Sequence, residues 1–406
     1  MKKDIIWNSL GTAAWSFLSL FLLIIVTRIN GITDSGLFSF AFAFALIMFT
    51  VASYTGRAYQ VSDYKQKFSS SDYLSFRIIT SSVALILTIL FIIINQYDPI
   101  KSLLLVVLVL HRVFDSIADV LYGIMQKEHH LYVSGKSLFY KSILSLVTFL
   151  VIDLLTANML LASLSLPIIS FLFVVFYDIP RSRNLENFTV SFNTVRVKKI
   201  LQGTSLPFSI AVMGLIFANI ARYFIDIYHP ELQGYFGIII MPLSLVILVF
   251  SFILTPAILR LTEMYNINDF SALHKIIIKI IVGMSAITLL IIAGVYTWGA
   301  QLLILMFNIN FTAYIHDIAL VIVIGFLLSV TSLLTNIAII ARRLRLIAIF
   351  YLLSNILLAL MCVFLVGPTQ IRGAIFAYII ASSVQTIIMA FYYRHLTNIY
   401  KPSIKS

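Results

Sequence analysis

Long, almost uninterrupted apolar runs alternate with short polar stretches along the whole chain. The runs at 83–94 and 318–328 contain hardly a polar side chain. Strands of a membrane barrel would instead alternate apolar and polar positions over about ten residues. Because hydrocarbon offers no water to backbone N–H and C=O groups, continuous apolar runs predict transmembrane helices, whose backbone hydrogen bonds are internal.

The apolar runs predict about twelve spans in two halves. A helix of roughly 20 residues rises about 30 Å, which is enough to cross a bilayer. The longest polar stretch, 179–199, separates the sixth span from the seventh, and six is an even number, so both halves enter the membrane in the same direction. We therefore predict two parallel six-helix lobes, at 1–180 and 204–406, joined by a cytoplasmic linker at 181–203. The predicted spans are 6–27, 36–56, 73–95, 102–125, 137–155, 158–178, 204–227, 235–258, 276–298, 317–340, 345–366 and 372–393.

Composition and charge agree with a membrane protein. Of the 406 residues 61% are hydrophobic and 11% charged, and the net charge is +12, whereas a soluble domain is nearer half apolar and a quarter charged. The predicted spans put 23 of the 28 lysines and arginines on one side, among them Lys65, Lys141 and Lys401. The positive-inside rule makes that side cytoplasmic, together with both chain ends. Topology and lipid contact thus explain the positive charge, and nucleic acid is not an expected partner.

The fourth span carries a concentration of ionisable side chains. Asp115 follows His111 by four residues and Arg112 by three, and Asp119 follows Asp115 by four, so these residues share one helix face. An unpaired charge at the bilayer centre costs about 2.5–3.5 kcal/mol even on insertion scales, so this face must turn toward the bundle interior or a wet cavity. Two interpretations stay open. One is an internal set in which Arg112 pairs with Asp115; the other is the lining of a polar pathway, with His111, Asp115 and Asp119 as candidates for ion coupling.

Four further arginines lie at the ends of predicted spans. Arg28 and Arg222 are at the outer ends of spans one and seven, and Arg57 and Arg260 are at the inner ends of spans two and eight. Arginines at such positions commonly extend toward the lipid interface. The alternative is that arginines from both halves face a shared central cavity and, with Arg112, form an anion-binding site.

No motif points to catalysis, a metal or a cofactor. The one cysteine, Cys362, lies in an apolar run and cannot form an intrachain disulfide. Gly135-Lys136-Ser137 resembles the end of a nucleotide-binding loop, but His130 stands where that loop needs its first glycine. Histidines and acidic residues lack metal-ligand spacing. We therefore predict a non-enzyme with neither metal nor cofactor.

Two segments resemble a known transporter family. Gly56-Arg57-Ala58-Tyr59-Gln60-Val61-Ser62-Asp63 follows span two, and Asp119-Val120-Leu121-Tyr122-Gly123-Ile124-Met125-Gln126 ends span four. Both resemble the Wzx-type O-antigen and capsular polysaccharide flippases, which belong to the polysaccharide transporters of the multidrug/oligosaccharidyl-lipid/polysaccharide (MOP) exporter superfamily. The span count, the two-half layout and the near absence of loops are similar over the whole chain.

The resemblance implies an all-α integral membrane fold with two lobes around a central cavity, where arginines meet a diphosphate. It implies a flippase that moves undecaprenyl-diphosphate-linked oligosaccharide repeat units from the cytoplasmic to the outer leaflet of the bacterial inner membrane, for O-antigen or capsule synthesis. The implied partners are the lipid-linked oligosaccharide, membrane lipids, and the polymerase and chain-length regulator of the same pathway.

Two other functions stay open. A cation-coupled multidrug exporter of the same superfamily would bind cationic drugs through buried carboxylates, but the chain has 16 acidic residues against 28 lysines and arginines. A membrane enzyme of surface-polysaccharide assembly would need a sizeable outer loop or a catalytic His/Asp pair, and His316-Asp317 is the one adjacent pair.

Overall fold

The computed structural model describes residues 2–63 and 67–399, in which helices dominate and no strand occurs. The predicted cytoplasmic residues Lys65 and Lys401 and both chain ends lie outside the described residues. The chain divides into two compact units, Met1–Leu215 and Ile216–Ser406.

The described part of the first unit is built from seven long or broken helices and two short ones. Helix α7 continues through a π-helical turn at Val174–Asp178 into α8, and α9 begins in this unit and ends in the second. The helices are α1 (Lys2–Ile29), α2 (Ile32–Ser53), α3 (Gly56–Ser62), α4 (Ser70–Asn95), α5 (Pro99–Lys127), α6 (Leu131–Thr156), α7 (Met159–Phe173), α8 (Ile179–Arg183) and α9 (Thr194–Tyr228).

The described residues of the second unit comprise the end of α9 and six further helices. A π-helical turn at Val295–Gly299 joins α12 to the short α13. In the last helix, Gln370 has a φ of 55°, two residues after Pro368, so this segment consists of two successive helices. The helices are α10 (Gln233–Ile239), α11 (Met241–Asn266), α12 (Phe270–Gly294), α13 (Ala300–Phe307), α14 (Ile315–Ile340) and α15 (Leu344–Ile399).

The described helices agree with an all-α membrane protein of about twelve spans. Among residues 2–63 and 67–399, ten segments are long and apolar enough to cross a membrane. Helix α5, at 29 residues, is also long enough, but Arg112, Asp115 and Asp119 make it too polar to count among the ten. The last segment, Leu344–Thr397, is long enough for two spans, and its break at Gln370 divides it into two helices. The predicted fold class is thus confirmed.

Local sequence explains several helix starts. The side chains of Ser69 and Asp72 form a capping box at the start of α4. Asp98 accepts hydrogen bonds from the first backbone N–H groups of α5, which opens with Pro99. Both devices satisfy donors that have no partner inside the helix, which would be costly beside hydrocarbon.

Helices α1 and α6 approach each other closely at two glycines. A Cβ atom on Gly11 would collide with the backbone of Gly135, and one on Gly135 would collide with the backbone of Trp7. Small residues allow membrane helices to make such backbone contacts, which supply packing that lipid cannot. Gly135 is therefore explained by this crossing and not by phosphate binding.

We expect Gly135→Ala to lower the free energy of unfolding by about 1–3 kcal/mol, because the added methyl group forces two backbones apart. Gly283→Ala on α12 is the matched control, since nothing lies within 4 Å of its Cβ position. The measurement is the thermal midpoint of the purified protein in detergent. Equal midpoints for the two variants would contradict the close crossing.

Candidate functional site

Asp115 is the centre of a buried ion cluster in the first unit. Its Oδ1 accepts a hydrogen bond from Lys141 Nζ of α6 at 2.5 Å, and its Oδ2 accepts one from Arg112 Nη1 at 2.9 Å. Trp15 Nε1 of α1 donates to Oδ2 at 3.3 Å. We call Trp15, Arg112, Asp115 and Lys141 the inner cluster. It ties three helices together through one carboxylate.

The surroundings of the inner cluster exclude water. Arg112, Asp115 and Lys141 are each at most 4% exposed. The Arg112 guanidinium also lies 4.7 Å from the centroid of the Phe42 ring, where the ring face attracts a cation. His111 shares a hydrogen bond of 2.8 Å with the Ser170 hydroxyl of α7. The structure thus contains the Arg112–Asp115 ion pair, while ion coupling through His111 or Asp115 stays a prediction.

One carboxylate serves both cations of the inner cluster. Arg112 and Lys141 bond to the two oxygens of Asp115, and all three side chains are nearly completely buried. Asp178, at the end of the π-helical turn, is fully buried as well. Mutual hydrogen bonding and near-complete burial are the features of a cluster that holds helices together.

The two segments that resemble the flippases pack against each other. Arg57 of α3 donates through Nε and Nη2 to Gln126 Oε1 of α5, at 3.2 and 3.0 Å. Gln60 Nε2 donates to the Val120 carbonyl at 3.3 Å. The Gln60 amide lies directly against Gly123, where a Cβ atom would force it to move. The short α3 is therefore held on the end of α5 by the residues that carry the resemblance.

Asp119 joins α3 to α4 as well as to α5. Its Oδ1 lies 3.4 Å from Arg57 Nη1, and its Oδ2 lies 3.2 Å from Arg77 Nη2. We call Arg57, Arg77, Asp119 and Gln126 the α3 cluster. One carboxylate here serves two guanidinium groups, so the cluster carries one surplus positive charge.

The surplus charge of the α3 cluster borders an open cavity. The Arg77 side chain is 1% exposed, whereas that of Arg57 is 26% exposed. A cavity of about 490 Å³ adjoins it, and its lining residues are Arg57, Ala58, Val61, Ser62 and Gln126. Arg57 thus presents N–H donors of a planar fork to a space that could hold an anionic group.

The remaining predicted site residues lie elsewhere. Arg28 is exposed in the last turn of α1. In the second unit, Arg222 is half-buried on α9, and its carbonyl accepts a hydrogen bond from Gln233 at 3.2 Å. Arg260 is exposed on α11, beside Lys279 of α12 in another cavity. The structure therefore separates the predicted α5 residues into two clusters, with Asp115 in one and Asp119 in the other.

Two buried cations, Lys141 and Arg77, were absent from the predicted site. Both were among the 23 cations predicted to be cytoplasmic, because the fifth span was predicted to start at 137 and the third at 73. Helix α6 starts at Leu131, so Lys141 lies ten residues, or about 15 Å, from that end. The fourth span holds two carboxylates and only one arginine, and that imbalance was a signal that other spans supply cations.

We expect Asp115→Asn to destabilise the first unit by about 3–5 kcal/mol, because it leaves Arg112 and Lys141 buried without their counterion. Glu128→Gln, at the exposed end of α5, is the control. The thermal midpoint in detergent and the yield of folded protein measure the effect. Two variants of equal stability would contradict a structural role for the cluster.

Comparisons with known proteins agree with the resemblance seen in the sequence. No protein-family model matches the chain. The capsular polysaccharide biosynthesis protein CapF of Staphylococcus aureus is 28% identical over 147 residues. This match covers 36% of the chain and spans only 36% of that relative's length.

Solved structures of MOP-superfamily transporters share the fold of the whole chain. The lipid II flippase MurJ in an inward closed conformation has a TM-score of 0.71 at 14% identity, with 96% of this chain and 87% of that chain covered. An inward-facing multidrug resistance MATE transporter has a TM-score of 0.69 at 13% identity and 99% coverage of both chains. A MOP-superfamily transporter from Pyrococcus furiosus has a TM-score of 0.59 at 14% identity, covering 98% and 95%. The chain is thus a multi-pass membrane protein with the fold of the MOP-superfamily transporters.

Proposed function

We propose that this protein is a flippase for undecaprenyl-diphosphate-linked oligosaccharide repeat units, moving them from the cytoplasmic to the outer leaflet of the bacterial inner membrane. The product would serve capsule or O-antigen synthesis. Both chain ends are proposed to be cytoplasmic, and the polymerase and chain-length regulator of the same pathway are the proposed partners. The observation that carries the proposal is the surplus positive charge of the α3 cluster at its open cavity.

The chemistry of such a substrate explains the need for this charge. The polyprenyl tail can stay in the bilayer, but the diphosphate headgroup cannot cross hydrocarbon alone. An arginine suits a diphosphate because its planar fork donates to two oxygens at once. Arg57 is held for this purpose by Gln126 and Asp119, which fix the guanidinium without neutralising the cluster.

The other candidate arginines are assigned different roles in this proposal. Arg112 is occupied by Asp115 and is fully enclosed, so we propose that it stabilises the bundle instead of binding substrate. Arg28 and Arg222 stay predicted substrate contacts, each in its own unit. Arg260 belongs to a separate groove, treated below.

Two features favour lipid-linked sugar over the alternatives. A drug exporter would bind a cationic drug through a carboxylate, but the two carboxylates predicted to couple ions, Asp115 and Asp119, each bind two cationic side chains. A membrane enzyme is disfavoured because the structures that share this fold are those of transporters and a flippase. The CapF similarity supports a capsule-related role, although it covers a third of the chain.

Transport need not consume ATP. With the cell interior negative, outward movement of an anionic group is favoured by about 2.3 kcal/mol per charge per 100 mV. The membrane potential can therefore drive net export, and rocking of helix bundles can provide alternating access.

We expect Arg57→Gln to lower polysaccharide export about tenfold or more at equal protein level, because a charge-assisted hydrogen bond contributes roughly 1.5–3 kcal/mol. Arg57→Lys should be intermediate, since it keeps the charge and loses the fork. The assay is complementation of a flippase-null strain, scored by surface polysaccharide and by accumulation of the undecaprenyl-linked precursor.

The matched control is Arg183→Gln, an exposed arginine of α8 outside the cavity, which should complement like the parent protein. Binding of farnesyl diphosphate to the purified protein gives a second readout and should weaken with Arg57→Gln. Full export by Arg57→Gln, or failure of the parent protein to complement any flippase-null strain, would overturn the proposal.

A further inference from the structure

Arg260 and Lys279 differ from the buried cations of the first unit. Both side chains are exposed, and no ion pair joins either to an acidic side chain among residues 2–63 and 67–399. This holds even for Glu263, which follows Arg260 by three positions on α11. By contrast, Arg112 and Lys141 share a carboxylate. In the part of the chain that the structure describes, two cations within spans thus lack a counterion.

Both cations lie inside the α11–α12 hairpin, away from the loop that joins the two helices. Arg260 precedes the end of α11 by six residues, and Lys279 follows the start of α12 by nine. At 1.5 Å per residue these positions are about 9 and 14 Å from the helix ends. That depth suits the phosphate region and the first methylene groups of one leaflet, because long basic side chains extend toward the headgroups.

The groove between the two helices is apolar apart from these cations. It has a volume of about 360 Å³, and its lining residues are Ile253, Arg260, Ile276, Lys279, Ile280, Gly283, Met284 and Ile287. From Lys279 to Ile287 the groove runs about 12 Å along α12. No atom lies within 4 Å of the Cβ position of Gly283, so its floor is open there. The groove therefore has a cationic end and an apolar channel that runs along the helices.

We propose that the groove between α11 and α12 binds an anionic glycerophospholipid, with its phosphate between Arg260 and Lys279 and one acyl chain over Gly283. Basic pockets between membrane helices bind anionic headgroups in this way. A volume near 360 Å³ is at the lower limit of ligand sites and suits part of one acyl chain. The lining offers no amide, hydroxyl or aromatic group to a sugar, so the bound lipid is distinct from the transported one.

The test is titration of phosphatidylglycerol into the delipidated full chain in detergent, followed by native mass spectrometry. Each basic residue near a membrane surface contributes about fivefold to binding, so the double variant Arg260→Gln/Lys279→Gln should bind about 30-fold more weakly. Gly283→Leu keeps both charges and fills the channel, so it should also weaken binding. Arg394→Gln, an exposed arginine of α15 outside the groove, is the matched control and should bind like the parent.

Three results would overturn the proposal. The double variant could bind phosphatidylglycerol like the parent, or Arg394→Gln could lose as much as the double variant, or undecaprenyl phosphate could displace phosphatidylglycerol at equal concentration. Size-exclusion profiles and thermal midpoints establish that Gly283→Leu is folded. Because the readout is lipid binding and not export, it stands or falls separately from the flippase proposal.

Discussion

A charge inside a bilayer needs a counterion, and this requirement organises the first unit. Helix α5 carries three charged residues that would be costly in hydrocarbon, so helices must surround it. Asp115 receives bonds from Arg112 on its own helix, Lys141 on α6 and Trp15 on α1. One carboxylate thereby specifies which helices are neighbours, and apolar packing alone would do so only weakly, because lipid tails are as apolar as the helix surfaces.

The sequence predicted most of the fold because membrane helices leave a strong pattern. Continuous apolar runs identified the spans. They also identified α5, although its charged residues keep it out of the ten most apolar segments. The close pair Pro368 and Gln370 falls between the last two predicted spans, where the structure breaks α15. The boundaries were less exact, because interfacial residues extend helices beyond their apolar stretch, as in α6 and α9.

The partners of the site residues were less predictable than the spans. Spacing along α5 showed that Arg112, Asp115 and Asp119 share a face, but it could not identify partners on other helices. Asp119 pairs with Arg57 and Arg77 from α3 and α4, which only tertiary contacts bring together. A span boundary misplaced by six residues was enough to make Lys141 look cytoplasmic. In a membrane bundle, a few residues of depth decide whether a cation is interfacial or structural.

Burial and charge together separate stabilising groups from candidate binding groups. In the inner cluster Arg112 and Lys141 bond to Asp115, and all three side chains are almost fully buried, so a ligand has no access to them. The α3 cluster has one carboxylate for two guanidinium groups, and its less buried guanidinium borders a cavity. The α11–α12 groove has two cations and no acid paired with them among the described residues. Uncompensated positive charge within a membrane span is costly, and open space adjoins each of these two places, so both are proposed sites for an anion from outside the chain.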